Sequence, residues 1–215
     1  METSPTVIVL AGGDPVSPVV AGSLPDADLV IAADSGLHQA DRLGLAVDLV
    51  VGDLDSADPK RIEAAEAAGI PIERHSTDKE ATDLALAMAA AIDRGARRIV
   101  VVGGSSFDRI DHFLANALLI GGPVASLADI TWFVKDSRLT AVTSSVRLSG
   151  RPGEIVTILP VGGPATGVTT TGLQWQLTND VLEPGSTRGV SNVVTGEVTV
   201  SVASGTVLVI QRRST

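Results

Sequence analysis

Two aspartates, Asp53 and Asp55, lie two positions apart directly after the apolar run Val47–Val51, within the segment Gly-Asp-Leu-Asp-Ser. Residues i and i+2 of an extended chain point to the same side, so the two carboxylates should project together from the end of a buried strand. Like charges held this close are costly unless a cation lies between them. Mg²⁺ is a hard cation that takes such oxygen ligands. The spacing therefore predicts a metal site and chemistry on phosphate groups.

A second charged cluster comprises Asp78, Lys79, Thr82 and Asp83 at the start of a predicted helix. Lys79 beside metal-binding carboxylates would suit a polyphosphate. Acidic residues in a first helical turn are also favoured by the helix dipole, and Thr82 or Asp78 can cap the helix. For each of these residues a structural role and a functional role therefore stay equally open.

A third cluster contains Arg109, Asp111 and His112 and follows the segment Gly103–Ser106. Glycines after a strand let backbone N–H groups approach phosphate oxygens, and the next helix offers its positive end. Arg109 can bind phosphate bidentately and stabilise charge that develops during transfer. The structural alternative is a helix start with a capping aspartate and a solvated arginine. An isolated histidine such as His112 favours a structural role, not that of a general base.

These clusters require a scaffold that brings distant segments together. In the first part of the chain, apolar strand-like runs alternate with helical patterns, which indicates βαβ units and a mostly parallel, Rossmann-like sheet. Such sheets bind ligands at the carboxyl ends of their strands. The predicted strands are Thr6–Ala11, Leu29–Ala33, Val47–Val51 and Arg98–Val102, the strand ends carry Gly12, Gly13 and Asp34, and the predicted helices are Leu37–Leu43, Pro59–Ala68, Thr82–Arg94 and His112–Ile120.

The texture changes after about residue 125, where Thr, Val, Ser and Gly dominate short runs. This pattern predicts an antiparallel β-sandwich or barrel. We therefore expect an α/β domain over residues 1–128 and a β-domain over residues 129–215. The predicted strands of the second domain are Leu139–Leu148, Glu154–Pro160, Gly167–Thr171, Glu197–Val202 and Thr206–Gln211.

Composition narrows the class of protein. The 215 residues carry a formal net charge of -9, which disfavours nucleic-acid binding. Cysteine is absent, which is consistent with a cytoplasmic protein. No apolar run approaches the roughly 20 residues that span a bilayer, and no basic stretch precedes an apolar one at the start, so neither a membrane protein nor a signal peptide is expected.

The two tryptophans have different surroundings. Trp132 lies among apolar neighbours and is predicted to be in the core. Trp175 is flanked by polar residues in a strand-like pattern, so an aromatic platform for a flat or cationic ligand competes with a core position. Ser191 and Asn192 could supply hydrogen bonds to such a ligand or form a turn.

Taken together, the motifs resemble the thiamine pyrophosphokinase (thiamine diphosphokinase) family. The similarity runs through most of the chain in the family's order. It rests on Ala33-Asp34-Ser35-Gly36, Gly52-Asp53-Leu54-Asp55-Ser56, Asp78-Lys79 with Thr82-Asp83, Arg109-Ile110-Asp111-His112 with Asn116, Thr171-Gly172-Leu173-Gln174-Trp175, and Ser191-Asn192.

The resemblance implies a homodimer with shared active sites that uses Mg²⁺ to transfer pyrophosphate from ATP to thiamine, releasing AMP. It also implies the residue roles. Asp53, Asp55 and Asp83 look like metal ligands, Asp34 and Asp111 like acids of the same pocket, and Arg109 like a phosphate contact; Gly12, Gly13, Lys79 and Thr82 match the ATP side, and Trp175, Ser191 and Asn192 the thiamine side.

The chain departs from the family pattern at Ser105–Asp108, where a glycine-rich turn is usual, and at Ser35-Gly36. Three other functions therefore stay open. One is a pyrophosphokinase for another alcohol such as a hydroxymethylpterin. Another is a thiamine or nucleotide sensor without catalysis. The last is a protein whose acids hold structural calcium.

Overall fold

The computed structural model describes residues 4–78, 80–106 and 108–212, and the chain divides into two compact units. The first unit comprises the chain up to Asn116 together with Trp132–Lys135. The second comprises Ala117–Thr131 and the chain from Asp136 onward. The sequence-based boundary between residues 128 and 129 lies inside the Ala117–Thr131 segment, and it stays a prediction.

The first unit alternates strands and helices, which confirms the α/β class. Local sequence explains where its helices begin and end. Asp58 caps the helix α2 (Pro59–Ala67) by accepting a hydrogen bond from the Lys60 N–H at 3.0 Å, and Gly44 ends the helix α1 (Leu37–Leu43) in the left-handed conformation. The elements are β1 (Thr6–Leu10), β2 (Leu29–Ala33), α1 (Leu37–Leu43), β3 (Leu49–Gly52), α2 (Pro59–Ala67), β4 (Ile72–Arg74), α3 (Asp83–Asp93), β5 (Arg98–Val102), α4 (Ile110–Ile120), which continues into the second unit, and β6 (Asp129–Val134), which enters the first unit at Trp132.

The strands of the first unit lie in the order β4-β3-β2-β1-β5-β6. The pairs β1–β2, β1–β5, β2–β3 and β3–β4 are parallel, so their carboxyl ends meet at one edge. Both faces are covered. On one face, Ile8, Leu10, Val100 and Val102 belong to a cluster that includes α1 residues, and their register neighbours Ala32 and Val50 belong to another that includes α2 residues. The residues of the opposite face, among them Val9, Ile31 and Val101, are buried as well, and α3 lies beside β1, β2 and β3.

The second unit is rich in strands, as the sequence predicts. Strand β12 pairs antiparallel with β7 and β9, β10 pairs antiparallel with β9, and β11 lies between β9 and β8. A buried valine- and leucine-rich cluster forms its core. The strands are β7 (Ser137–Val142), β8 (Ser145–Leu148), β9 (Ile155–Leu173), β10 (Asp180–Leu182), β11 (Asn192–Ser201) and β12 (Ser204–Arg212).

The bounds of three predicted strands in this unit are wrong. The predicted strand Leu139–Leu148 is two strands, β7 and β8, separated by a bend. The predicted strands Glu154–Pro160 and Gly167–Thr171 are parts of the single strand β9. Glycines 162, 163 and 167 have positive φ within β9, so they shift its register and bend it without ending it.

Among the described residues, no helix combines the length and apolar character that crossing a bilayer requires.

Candidate active site

The carboxyl ends of β1, β2, β3 and β5 surround a cavity of about 570 Å³ in the first unit. Predicted site residues follow three of these strands: a glycine turn follows β1, one aspartate follows β2 and two aspartates follow β3. The start of α3 completes one side of the cavity. The parallel register explains the convergence, because each strand delivers its next residues to the same edge. The predicted residues that line the cavity are Gly12, Gly13, Asp34, Asp53, Asp55, Thr82, Asp83 and Arg109.

Asp34 is the buried acid of this cavity, with a 5% exposed side chain. Its backbone is held at φ 48°, a conformation that non-glycine residues rarely adopt. Its Oδ2 accepts a hydrogen bond from the Ser56 hydroxyl. Its Oδ1 is buried and has no hydrogen-bond partner among the described residues. A buried carboxylate oxygen without a donor is costly, so this oxygen is suited to a cationic ligand.

Asp53 and Asp55 both line the cavity beside Asp34, but β3 ends at Gly52, so the pair follows the strand and is not part of the extended chain on which the sequence-based prediction rests. One carboxylate oxygen from each of the three aspartates lies within 4.8 Å of the others. Leu54, between the pair, has φ 65°, and the Asp55 N–H donates to Asp53 Oδ1 at 3.3 Å. The negative charge of Asp53 raises the pKa of the Asp55 carboxyl, with burial and Asp34 adding to the effect. The site therefore has like charges that a divalent cation would relieve.

Asp83 approaches the same site from the first turn of α3. Its Oδ1 accepts a hydrogen bond from the Asp53 N–H at 3.3 Å, and Thr82 caps the helix by accepting from the Ala85 N–H at 3.3 Å. Asp83 is outside the group of three carboxylates that lie within 4.8 Å of one another. The structure thus gives Asp83 a contact with the backbone of the aspartate pair.

Two glycine turns form another wall. The Gly104 N–H donates to the Gly12 carbonyl at 2.7 Å, and the Asp14 N–H donates to the Ser105 carbonyl at 2.5 Å. A side chain at Gly13, where φ is 92°, would clash with the Ser105 backbone. The two turns are therefore tied together closely enough that only glycine fits.

Arg109 lines the cavity just before α4 and forms a salt bridge with Asp111. Its Nε donates to Asp111 Oδ1 at 3.1 Å, and its Nη2 donates to Oδ2 at 2.9 Å. This pairing raises the pKa of Arg109 and lowers the pKa of Asp111 to about 2. Asp111 is exposed and is not among the described residues that line the cavity. It orients the guanidinium.

Lys79 lies outside the described residues, and Phe107 of the Ser105–Asp108 departure does as well. Residues without an assigned role in the sequence also line the cavity: Ser35, Ser56, Ser105, Ser106, His112 and Asn116. Ser56 and Asn116 belong to the sequence motifs quoted above. Membership of those motifs is the only sequence signal that could have assigned these two residues to the site.

Trp175 lies in the second unit and is 56% exposed, whereas Trp132 is fully buried, as predicted. An exposed indole offers a flat apolar face with a polar N–H at its edge, which is why tryptophan is enriched at binding surfaces. Asn192, only 2% exposed, holds the Trp175 backbone from both sides. Its Oδ1 accepts from the Trp175 N–H at 3.0 Å, and its Nδ2 donates to the Trp175 carbonyl at 2.6 Å.

Ser191 precedes Asn192 and has φ 57°. Its N–H donates to Thr157 Oγ1 at 3.0 Å. Ser191 is exposed, so its hydroxyl is accessible, while the Asn192 amide is occupied with backbone groups. The two neighbours thus differ in what they can offer a ligand.

Two family models match the chain. The model for "Thiamin pyrophosphokinase, catalytic domain" matches residues 21–127, and the model for "Thiamin pyrophosphokinase, vitamin B1 binding domain" matches residues 143–207. The chain belongs to the thiamine pyrophosphokinase family. The first matched region contains the cavity acids Asp34, Asp53, Asp55 and Asp83. The second contains Trp175, Ser191 and Asn192.

Curated relatives agree with this membership. The chain is 30% identical over 162 residues to Thiamine pyrophosphokinase 3 of Oryza sativa subsp. japonica, covering 71% of this chain and 60% of that protein. It is 25% identical over 218 residues to Thiamine pyrophosphokinase of Bacillus subtilis (strain 168), covering 96% and 98%. This family member therefore spans about three fifths of the rice protein and nearly all of the bacterial one.

Solved structures share the fold. Thiamine pyrophosphokinase from Bacillus subtilis superimposes with a TM-score of 0.83 at 23% identity, covering 98% of this chain and 100% of that one. Yeast Thiamin Pyrophosphokinase gives a TM-score of 0.74 at 15% identity, covering 99% and 87%. The α/β class with a strand-rich C-terminal region is therefore the architecture of these proteins.

Proposed function

We propose that this chain is a thiamine diphosphokinase, which transfers the diphosphate of ATP to the hydroxyl of thiamine and releases AMP. The observation that carries the proposal is the convergence of Asp34, Asp53 and Asp55 on one cavity in a member of this family. The test is AMP release from ATP with thiamine as acceptor. Release with a hydroxymethylpterin in place of thiamine would point to the other pyrophosphokinase, and thiamine binding without AMP would point to a sensor.

The residues fit Mg²⁺. The carboxylate oxygens of Asp34, Asp53 and Asp55 lie close enough to share one ion, and Asp34 Oδ1 is buried without a protein donor. We propose Asp53 and Asp55 as ligands with Asp34 as the third, and Asp83 as a further acid at the same ion. When bound, Mg²⁺ neutralises the negative charge that a triphosphate would otherwise bring against these carboxylates.

The side chains of the cavity do the remaining work of positioning. Arg109, oriented by Asp111, contacts the phosphates and offsets charge on the transferred group. Asp111 has a pKa of about 2 and is therefore a poor proton acceptor at neutral pH. Asp34, the other proposed acceptor for the proton of the thiamine hydroxyl, lines the cavity, but its Oδ2 accepts from Ser56 and its Oδ1 is proposed above as a metal ligand, so neither aspartate is assigned as the base. Gly12, Gly13, Thr82 and Lys79 remain the proposed ATP contacts.

Trp175 is the proposed platform for thiamine, whose thiazolium ring is flat and cationic. Ser191 offers its hydroxyl to the same ligand, and Asn192 acts through the Trp175 backbone that it holds. A rigid backbone is needed because a stacking side chain positions the reacting hydroxyl only if it is itself fixed.

We expect Trp175→Ala to raise the KM for thiamine by about tenfold or more, the usual strength of a cation–π contact. The KM for ATP should stay unchanged, because no triphosphate contact is removed. Steady-state kinetics with each substrate varied in turn gives both values. Val181→Ala, which truncates another exposed apolar side chain of the second unit, is the matched control and should change neither. Equal rises in both KM values would contradict the platform.

We also propose a homodimer with shared active sites. Ile110, Leu114 and Leu118 follow one another every four residues along α4 and are all more than half exposed. Such a stripe on a helix is typical of a surface that another chain covers. We further propose that the first unit is Rossmann-like and that the second is a sandwich, as the parallel and antiparallel strand pairs described above support. We also propose a cytoplasmic location.

Leu114→Glu should convert the dimer to a monomer, because it places a charge in the middle of the stripe without a partner. Light scattering coupled to size-exclusion chromatography measures the change in mass. Val19→Glu introduces the same charge at an apolar side chain that is 71% exposed outside the stripe, and it should leave the dimer intact. A dimer that survives Leu114→Glu would show that α4 is not its interface.

A further inference from the structure

The dipeptide Gly103-Gly104 joins β5 to the wall of the cavity, and all four of its backbone hydrogen-bonding groups are engaged. Both residues have positive φ, 92° and 78°. The Gly103 N–H donates to the Phe133 carbonyl at 3.0 Å, and the Gly104 N–H donates to the Gly12 carbonyl at 2.7 Å. These two N–H groups are therefore occupied by protein and do not serve as free phosphate donors.

The two carbonyls of the dipeptide are held by side chains. Trp132 Nε1 donates to the Gly103 carbonyl at 2.6 Å, and Asn116 Nδ2 donates to the Gly104 carbonyl at 2.8 Å. Both donors are buried, Trp132 fully and Asn116 at 7% exposure. A buried carbonyl without a donor is costly, so each bond fixes the direction of its peptide group.

We propose that Asn116 and Trp132 are positioning residues for the triphosphate, acting through Gly103 and Gly104. A carbonyl oxygen carries partial negative charge, and Gly104 lines a cavity that already contains several carboxylates. By donating to these two carbonyls, the side chains offset that charge and keep the peptide groups from turning toward an anion. This inference rests on the proposed function, because it takes ATP as the anion.

A positioning role and a simple packing role for Asn116 and Trp132 predict different effects of substitution. Loss of the Asn116 donor releases the Gly104 carbonyl, which belongs to the peptide group that continues into Ser105, a residue that also lines the cavity. Loss of the Trp132 donor leaves the Gly103 carbonyl unpaired in a peptide group that the Gly104 N–H still ties to Gly12. The change lies on the triphosphate side of the site, so it should weaken nucleotide binding and spare thiamine. A packing defect alone would lower the thermal stability without separating the two substrates.

The experiment measures the Kd of a non-hydrolysable ATP analogue with Mg²⁺ by isothermal titration, for the full chain and two variants. Asn116→Leu keeps a similar volume without the donor, and Trp132→Phe keeps an aromatic ring without the N–H. Each should raise the Kd by about tenfold, because a carbonyl without its donor keeps its full partial negative charge near the phosphates. The KM for thiamine should stay at the wild-type value. Because both variants act on one dipeptide, a single variant that folds is sufficient to test the proposal.

Thr170→Val is the matched control. Thr170 is a buried residue of the second unit whose Oγ1 accepts from the Leu177 N–H at 2.9 Å, so the variant also loses one buried hydrogen bond. It should lower the Tm and leave the analogue Kd unchanged. A folded Asn116→Leu or Trp132→Phe with the wild-type Kd would overturn the inference alone. Failure of the wild-type chain to bind the analogue would overturn the proposed function together with it.

Discussion

Asp55→Asn should reduce turnover by about a thousandfold or more while the protein stays folded, because several kcal/mol of charge stabilisation depend on a metal ligand. Asparagine keeps the size of the side chain and removes the charge. The variant therefore loses electrostatic stabilisation of the cation that is proposed to bind the triphosphate. AMP release under saturating ATP and thiamine measures turnover, and circular dichroism checks the fold. Asp26→Asn, the same chemical change at an exposed aspartate outside the cavity lining, should leave turnover unchanged.

The same variant has an opposite effect on stability. The pKa of Asp55 is raised by the neighbouring Asp53, so the ionised carboxyl disfavours the metal-free folded protein at neutral pH. Without metal, Asp55→Asn should therefore melt at or above the wild-type temperature at pH 7. The difference should shrink as the pH falls through the raised pKa and wild-type Asp55 takes up a proton. Mg²⁺ should raise the Tm of the wild type more than that of the variant. A metal-free variant clearly less stable than wild type at pH 7 would contradict the repulsion.

Gly52→Ala should lower turnover by about a hundredfold or more, the usual cost of misplacing reacting groups by about 1 Å. Gly52 ends β3 with φ 147°, and an added Cβ would lie 2.8 Å from Asp83 Oδ1 and 3.1 Å from Asp34 Cβ. The methyl group must therefore displace two acids of the site. Steady-state kinetics measures the loss, and thermal unfolding measures the accompanying strain.

Gly69→Ala separates this displacement from backbone strain. Gly69 also has positive φ, 74°, but an added Cβ would meet nothing within 4 Å. It should cost about 1–2 kcal/mol of stability, as a left-handed non-glycine residue does, and leave turnover unchanged. Comparable turnover in the two alanine variants would argue that the acids need no fixed geometry.

Much of the site follows from local sequence. Alternating strands and helices predict a sheet whose carboxyl ends carry the acids. The spacing of Asp53 and Asp55 predicts that they lie together, although a left-handed Leu54 and not an extended chain separates them. Helix α1 matches its predicted bounds, because a strong apolar pattern is followed by Gly44 in the left-handed conformation. These signals are local, and elementary stereochemistry interprets them directly.

Other features depend on contacts between distant segments. The carboxylate group of Asp34 with Asp53 and Asp55 follows from the pairing of β2 with β3 and from the unusual backbone of Asp34, which sequence does not display. The pairing of the buried Asn192 amide with the Trp175 backbone is likewise a tertiary result. The sequence predicts two strands where β9 is continuous, because its glycines are typical of strand ends, whereas pairing with β10, β11 and β12 keeps the strand continuous.

The central claim is that Asp34, Asp53 and Asp55 share a divalent cation that carries the nucleotide. Anomalous diffraction from a crystal grown with Mn²⁺, a non-hydrolysable ATP analogue and thiamine tests it most directly. We expect a manganese peak bonded to carboxylate oxygens of this group and to phosphate oxygens of the analogue. A peak elsewhere, or an analogue bound with these carboxylates facing no metal, would contradict it.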